Sequence, residues 1–234
     1  MYINFETDPA CVPYLSSAFI DEFCDDLVAR FDKGVARDLH PLNIDDFAVN
    51  QMGLRLVYEN MSCNFSVLGA MLFEDTLLFP VYDPRRGRAE YISAKEGDVV
   101  LEKKLLEANQ NDRLRYTLAH EVGHALWHGM YYNSLKKSGK ALNGYMMCGR
   151  DNLRSISEDA ARLSRRRLIE YQANRSASAL LMPQSAVKKL CERLGKPETP
   201  DEKDDLVIYT AAAFRVSDFA AKIRLRELGM LQTH

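Results

Sequence analysis

The chain has 234 residues, of which 47% are hydrophobic and 27% charged, enough apolar material for one generous domain or one domain with a small appendage. Its formal net charge of -2 and pI near 6.2 carry no electrostatic footprint for nucleic acid, so none is expected as a direct partner. The five cysteines, Cys11, Cys24, Cys63, Cys148 and Cys191, are odd in number and form no CxxC, which suits free thiols in a reducing cytoplasm and argues against a disulfide framework.

The opening residues show no basic stretch ahead of an apolar one, so no signal peptide is expected. No uncharged apolar run approaches the roughly 18 residues that a membrane span needs. The expectation is a cytoplasmic, soluble protein without a membrane partner.

In chain order, "AFIDEFCDDLVARF" (18–31) places Phe19, Ile20, Phe23, Leu27, Val28 and Phe31 at helical spacing, with an acidic outer face. A second helix starts near Asn43 or Asp45 and is closed by Gly53, followed by a strand from Leu54 to Tyr58. "VLGAMLF", "TLLFPVYD", "AEYISA" and "DVVLEKKLL" are short β-prone runs separated by turn residues such as "DPRRG" at 83–87. Residues 54–101 thus read as a small, mainly antiparallel sheet. From Asp112 onward the pattern is helical, except for 129–150, whose four glycines suggest a loop. Pro197 and Pro200 mark a linker or loop before a last helical region, 204–229. The fold class expected is α+β, a small sheet packed on helices, with a main domain at 1–196 and a C-terminal helical extension at 197–234.

Within "LRYTLAHEVGHALWHGM" (114–130), His120 and His124 lie one turn apart on a helix that Asp112 can cap and Gly129 can end. Both imidazoles can therefore reach one ion. Glu121 is rotated about 100° away, so it would not bind with them but can serve as general base for a water. The competing reading is a polar helix face carrying satisfied histidines. His128 continues the spacing but lies two turns from His120, too far for all three to meet one ion, and reads as a helix-end residue.

Position 127 is Trp and position 130 is Met, so the longer HExxHxxGxxH motif is absent and a third ligand must come from elsewhere. Glu158 and Glu170 are the carboxylates available in the next helical segment. They lie about 18 Å apart along a continuous helix, so one ion cannot take both. Glu170 precedes Ala173 and Ala177, small residues that permit close helix approach. Asn174, one turn beyond, can hydrogen-bond a ligand or Glu121, or serve helix packing. Tyr131, Tyr132 and Tyr145 are candidate oxyanion donors, with no choice among them. The arginines Arg162, Arg165, Arg166 and Arg167 read as a solvated helix face.

Taken together, "RLRYTLAHEVGHALWH" and "EYQANRSASALLMP" resemble the ImmA/IrrE family of zincin-like metallopeptidases, in the pattern R-x-x-x-A-H-E-x-x-H followed by E-x-x-A-N and L-L-M-P. Upstream, "HPLNIDDFAVNQMGLRLVY", "LGAMLF" and "DVVLEKKLLEANQNDRLRYTLAHE" are similar to the segments leading into the metal helix. Downstream, "AAAFRVSDFAAKIRLRELG" is similar to the closing helices. The stretch "SLKKSGKALNGYMMCGRDNLRS" matches nothing in that pattern. The resemblance implies a minimal zincin-like fold with His120, His124 and Glu170 as metal ligands and Glu121 as the catalytic residue. It implies Zn2+ as the cofactor, with Mn2+ as the alternative, and a helix-turn-helix repressor as the protein cleaved, derepressing mobile-element or stress genes. Two further functions are compatible with the same residues: a non-hydrolytic anti-repressor that binds such a factor, and the toxin of a toxin–antitoxin pair.

Overall fold

A computed structural model describes residues 6–138, 144–149 and 164–231. The first helix, α1 (Ser17–Phe31), is capped by the Ser16 hydroxyl, which accepts from the Phe19 N–H, and it buries Ile20, Cys24 and Val28. The short α2 (Gly34–Asp38) follows, and then α3 (Ile44–Asp46), which Asn43 caps and which runs on as a single π turn through Phe47–Gln51. Gly53, at φ +68°, closes that segment in a left-handed conformation that a side chain would strain.

Five strands come next: β1 (Arg55–Glu59), β2 (Val67–Leu72), β3 (Thr76–Asp83), β4 (Arg88–Ala94) and β5 (Asp98–Glu102). Helices α4 (Asn111–Trp127) and α5 (Gly129–Lys137) precede a sixth strand, β6 (Tyr145–Gly149). The main sheet has the order β1-β5-β2-β6, parallel between β1 and β5 and antiparallel elsewhere, and β3 and β4 form a separate antiparallel hairpin. The chain is α+β. Strands β2 and β5 are apolar on both faces because both are covered. Met71, Val99 and Leu101 join the helical core, while Ala70, Leu72 and Val100 pack with Phe79, Val81 and Ala94 of the hairpin.

The rest is helical: α6 (Arg165–Leu181), α7 (Gln184–Leu194), α8 (Pro200–Phe214) and α9 (Asp218–Glu227). A polar junction ties α1, α6 and α9 together beneath the core. Asp21 accepts from both Arg175 and Arg224, Arg224 Nε donates to the Met182 carbonyl at 3.0 Å, and Glu227 lies 2.9 Å from Arg175. Arg224 is fully buried, which a cation tolerates only with such partners. No helix among the described residues is long and apolar enough to cross a membrane.

Three expectations need correction. Residues 129–137 are helix and 145–149 are strand, where a loop was expected: Gly129 opens α5 instead of merely ending α4, and the run "YMMCG" gains its strand state from pairing with β2, a non-local contact. Asp112 lies in the first turn of α4, with Gln110 at the cap position. The "PETPDEKDD" stretch is no linker beyond Pro200, because Thr199 and Glu202 form a reciprocal capping box that starts α8 there, with Pro200 at its first position. Glu158 and Arg162 lie outside the described residues.

Candidate metal centre

α4 lies against α6 with almost no spacer between them. A Cβ placed on Gly123 would come 2.9 Å from the Ala173 carbonyl oxygen and 3.0 Å from its Cα, so glycine there is what lets the two backbones meet. This approach brings Glu170, one turn before Asn174, beside His120.

His120 Nε2 and His124 Nε2 stand 3.0 Å apart, and Glu170 Oε2 lies 3.5 Å from His120 Nε2. Donor atoms of all three residues fall within 4.8 Å of one another, and all three side chains are buried. Ligands held at the usual 2.0–2.2 Å from a tetrahedral ion are separated by about 3.3 Å, so the two short separations fit such a donor set.

The protonation pattern points the same way. Gln172 donates its amide N–H to the Pro13 carbonyl at 2.7 Å, which leaves its Oε1 to accept from His128 Nε2 at 3.0 Å. His128 Nδ1 must then accept, and it does so from His124 Nδ1 at 2.9 Å. The lone pair of His124 is thereby confined to Nε2. On the other ligand, His120 Nδ1 donates to Asn174 Oδ1 at 2.9 Å, which again leaves the lone pair on Nε2. With both rings neutral, two imidazole lone pairs thus face each other at 3.0 Å, an arrangement that a metal cation resolves. His128 is no member of the donor group; it orients one.

Burial sets the charge states. His124 is held well below the ordinary histidine range by desolvation first, then by His120 and His128, so its ring is neutral near pH 7 as a ligand requires. Desolvation likewise pushes His128 down to about 4. Glu121, fully buried, is held well above the ordinary carboxylate range by desolvation and then by the charge of Glu170. The Met71 N–H pulls it slightly the other way without reaching hydrogen-bond geometry, and neither Glu121 oxygen has a partner among the described residues. Glu170 Oε2 is similarly without one. Orphaned carboxylate oxygens beside converging lone pairs fit a divalent cation.

Residues 143–226 match the family model described as Peptidase_M78, IrrE N-terminal-like domain. The match bears out the ImmA/IrrE resemblance. The IrrE-like segment takes in β6 and α6 through α9, and so Glu170, Gln172 and Asn174, and it supports a metallopeptidase-like domain. It begins after α4, so the two histidines are brought to it by the helix contact described above. It also begins within the stretch that matches nothing in the sequence pattern. No curated protein matches the chain.

Of the three tyrosines, Tyr132 lies where the charges of Glu121 and Glu170 reach its hydroxyl, but that hydroxyl donates to the Tyr145 carbonyl at 2.9 Å. Arg165 pairs with Asp8 at 2.7 Å. Sequence reasoning did not single out Gly123 or Gln172. The first lies inside the H-E-x-x-H motif and could have been suspected. Gln172 acts through partners remote in sequence.

Proposed function

We propose that this chain is a metal-dependent endopeptidase with a minimal zincin-like fold, in which His120, His124 and Glu170 hold a divalent ion and Glu121 moves the proton. The observation that carries this reading is the pair of imidazole lone pairs 3.0 Å apart beside the Glu170 and Glu121 carboxylates. Zinc is the ion best suited to two nitrogens and one oxygen, with manganese the alternative. A divalent ion bound there would supply Lewis acidity to the scissile carbonyl and make water a nucleophile near neutral pH.

The chain's own residues do the rest. Asn174 and the His128–Gln172 pair hold the imidazoles in the tautomer that presents Nε2. Glu121, one residue past His120, accepts the proton of the attacking water and passes it to the departing amine nitrogen.

The substrate proposed is a helix-turn-helix repressor, cleaved at one site. Incubation of the purified protein with a candidate repressor, with and without a chelator, tests this. Metal-dependent appearance of two discrete fragments is the result expected. Binding of the repressor without cleavage, insensitive to the chelator, would favour an anti-repressor instead.

A further inference from the structure

Strand β2 turns one bare position toward α4. Ala70 and Leu72 face the hairpin and Met71 faces the helical core, so Gly69, two residues before Met71, lies on the α4 side without a side chain. Glu121 stands there instead. A Cβ placed on Gly69 would meet Glu121 Oε1 at 2.7 Å, Thr117 Cγ2 at 3.0 Å and Glu121 Cγ at 3.2 Å. Thr117 lies one turn before Glu121, so one face of α4 supplies both side chains. Both are fully buried.

The two sides of this contact differ in how they can yield. Gly69 pairs with Leu101 of β5 and with Cys148 of β6, in a strand that has neighbours on both sides. Between Val67 and Gly69 the register against β6 shifts, an irregularity of the kind that re-aims the side-chain direction of a strand. Glu121 by contrast ends in two oxygens that have no hydrogen-bond partner among the described residues. A methyl group at position 69 would therefore move the carboxylate and leave the sheet in place. Restoring ordinary contact takes Oε1 from 2.7 Å to about 3.4 Å, a shift of about 0.7 Å. Proton transfer works over a window of about 2.6–3.2 Å, so that shift is as wide as the window itself.

Resting on the metallopeptidase reading above, we propose that Gly69 is a positioning residue for Glu121. The bare stretch of β2 is the seat of the carboxylate and fixes where it stands beside His120, and the Thr117 methyl group bounds the seat along α4.

Thermal melts of the metal-free full chain test the seat without an assay of activity. Gly69→Ala is made in the wild type, in Glu121→Gln and in Glu121→Ala. Alanine in place of a strand glycine is otherwise stabilising. The shift in melting midpoint that Gly69→Ala causes is expected to be more favourable by at least about 2 °C in Glu121→Ala than in the wild type. Glu121→Gln keeps the reach of the side chain and should show the wild-type shift. Equal shifts in all three backgrounds overturn the seat, and so does failure of Gly69→Ala to fold in every one of them. With the repressor of the cleavage assay above, Gly69→Ala is expected to keep wild-type Zn2+ affinity by chelator competition. Its kcat should fall by at least about tenfold with KM little changed, the split that a displaced base produces. Lost metal, or an unchanged kcat, overturns the positioning role and leaves the metallopeptidase reading intact. A wild type that neither binds Zn2+ nor cleaves overturns that reading, while the melts still decide the seat.

Discussion

Glu121 and His124 are separated by two residues, yet the site asks opposite things of them. His124 has to be neutral with its lone pair on Nε2, and a chain of three donors running back to Pro13 enforces that. Glu121 has to exchange a proton and holds no fixed partner. Glu121→Gln keeps the shape of the side chain and removes the base. It is expected to retain metal near one equivalent while repressor cleavage falls by at least about a hundredfold, the usual scale of general-base loss. Metal analysis alongside a cleavage time course checks both halves, and comparable cleavage by the variant would sink the mechanism. Glu170→Ala removes a donor 3.5 Å from His120 Nε2 and should lose most of the bound metal. Between these lies His128→Leu, which removes no metal donor but deprives His124 Nδ1 of its acceptor. We expect metal affinity to drop by about 10–100-fold, measured by chelator competition, with the fold retained by circular dichroism.

At the scale of elements, the centre depends on how closely α4 and α6 approach. Gly123→Ala would set a methyl group 2.9 Å from the Ala173 carbonyl oxygen, and backbone cannot yield as a side-chain end can. The expected cost is about 1–3 kcal/mol of stability, typical of overpacking, together with weaker metal binding because Glu170 is carried away from His120. A thermal melt and a metal titration of the variant would show it; unchanged values in both would mean that the helices repack freely. The same contact explains what the sequence could and could not reveal. The i, i+4 histidines are a local pattern, readable as soon as a helix is granted, and Ala173 and Ala177 hinted at a close neighbour. Which residue of α4 met them depended on a partner some fifty residues away, so Gly123 passed as an ordinary motif position. Strand β6 was hidden for a stronger reason. Four residues between two glycines carry little β signal of their own, and pairing with β2 makes them a strand. The start of α8 was legible in Thr199-x-x-Glu202 and was hidden behind the prolines around it.

Across the whole molecule, the helices that carry and back the site are joined through the polar junction at Asp21. Two arginines, Arg175 from α6 and Arg224 from α9, share this carboxylate from α1, with Glu227 as the other anion. Arg175 follows Asn174, the residue that orients His120, so the junction and the metal centre use neighbouring positions, about 100° apart, on the same turn of α6. Asp21→Ala would leave two buried cations facing one carboxylate, and the penalty comes from the stranded charges more than from the lost bond. The expected loss is about 3–5 kcal/mol in urea denaturation, a large fraction of the stability of an ordinary domain. Asp26 offers a control on the same helix. Its pair with Arg30 is 3.8 Å long with both side chains mostly in solvent, so Asp26→Ala should leave the denaturation midpoint where it was. If the two variants behave alike, the junction is not what holds α1, α6 and α9 together. If Asp21→Ala alone unfolds early, its metal affinity should fall as well, because the helix that presents Glu170 has lost its anchor at Arg175.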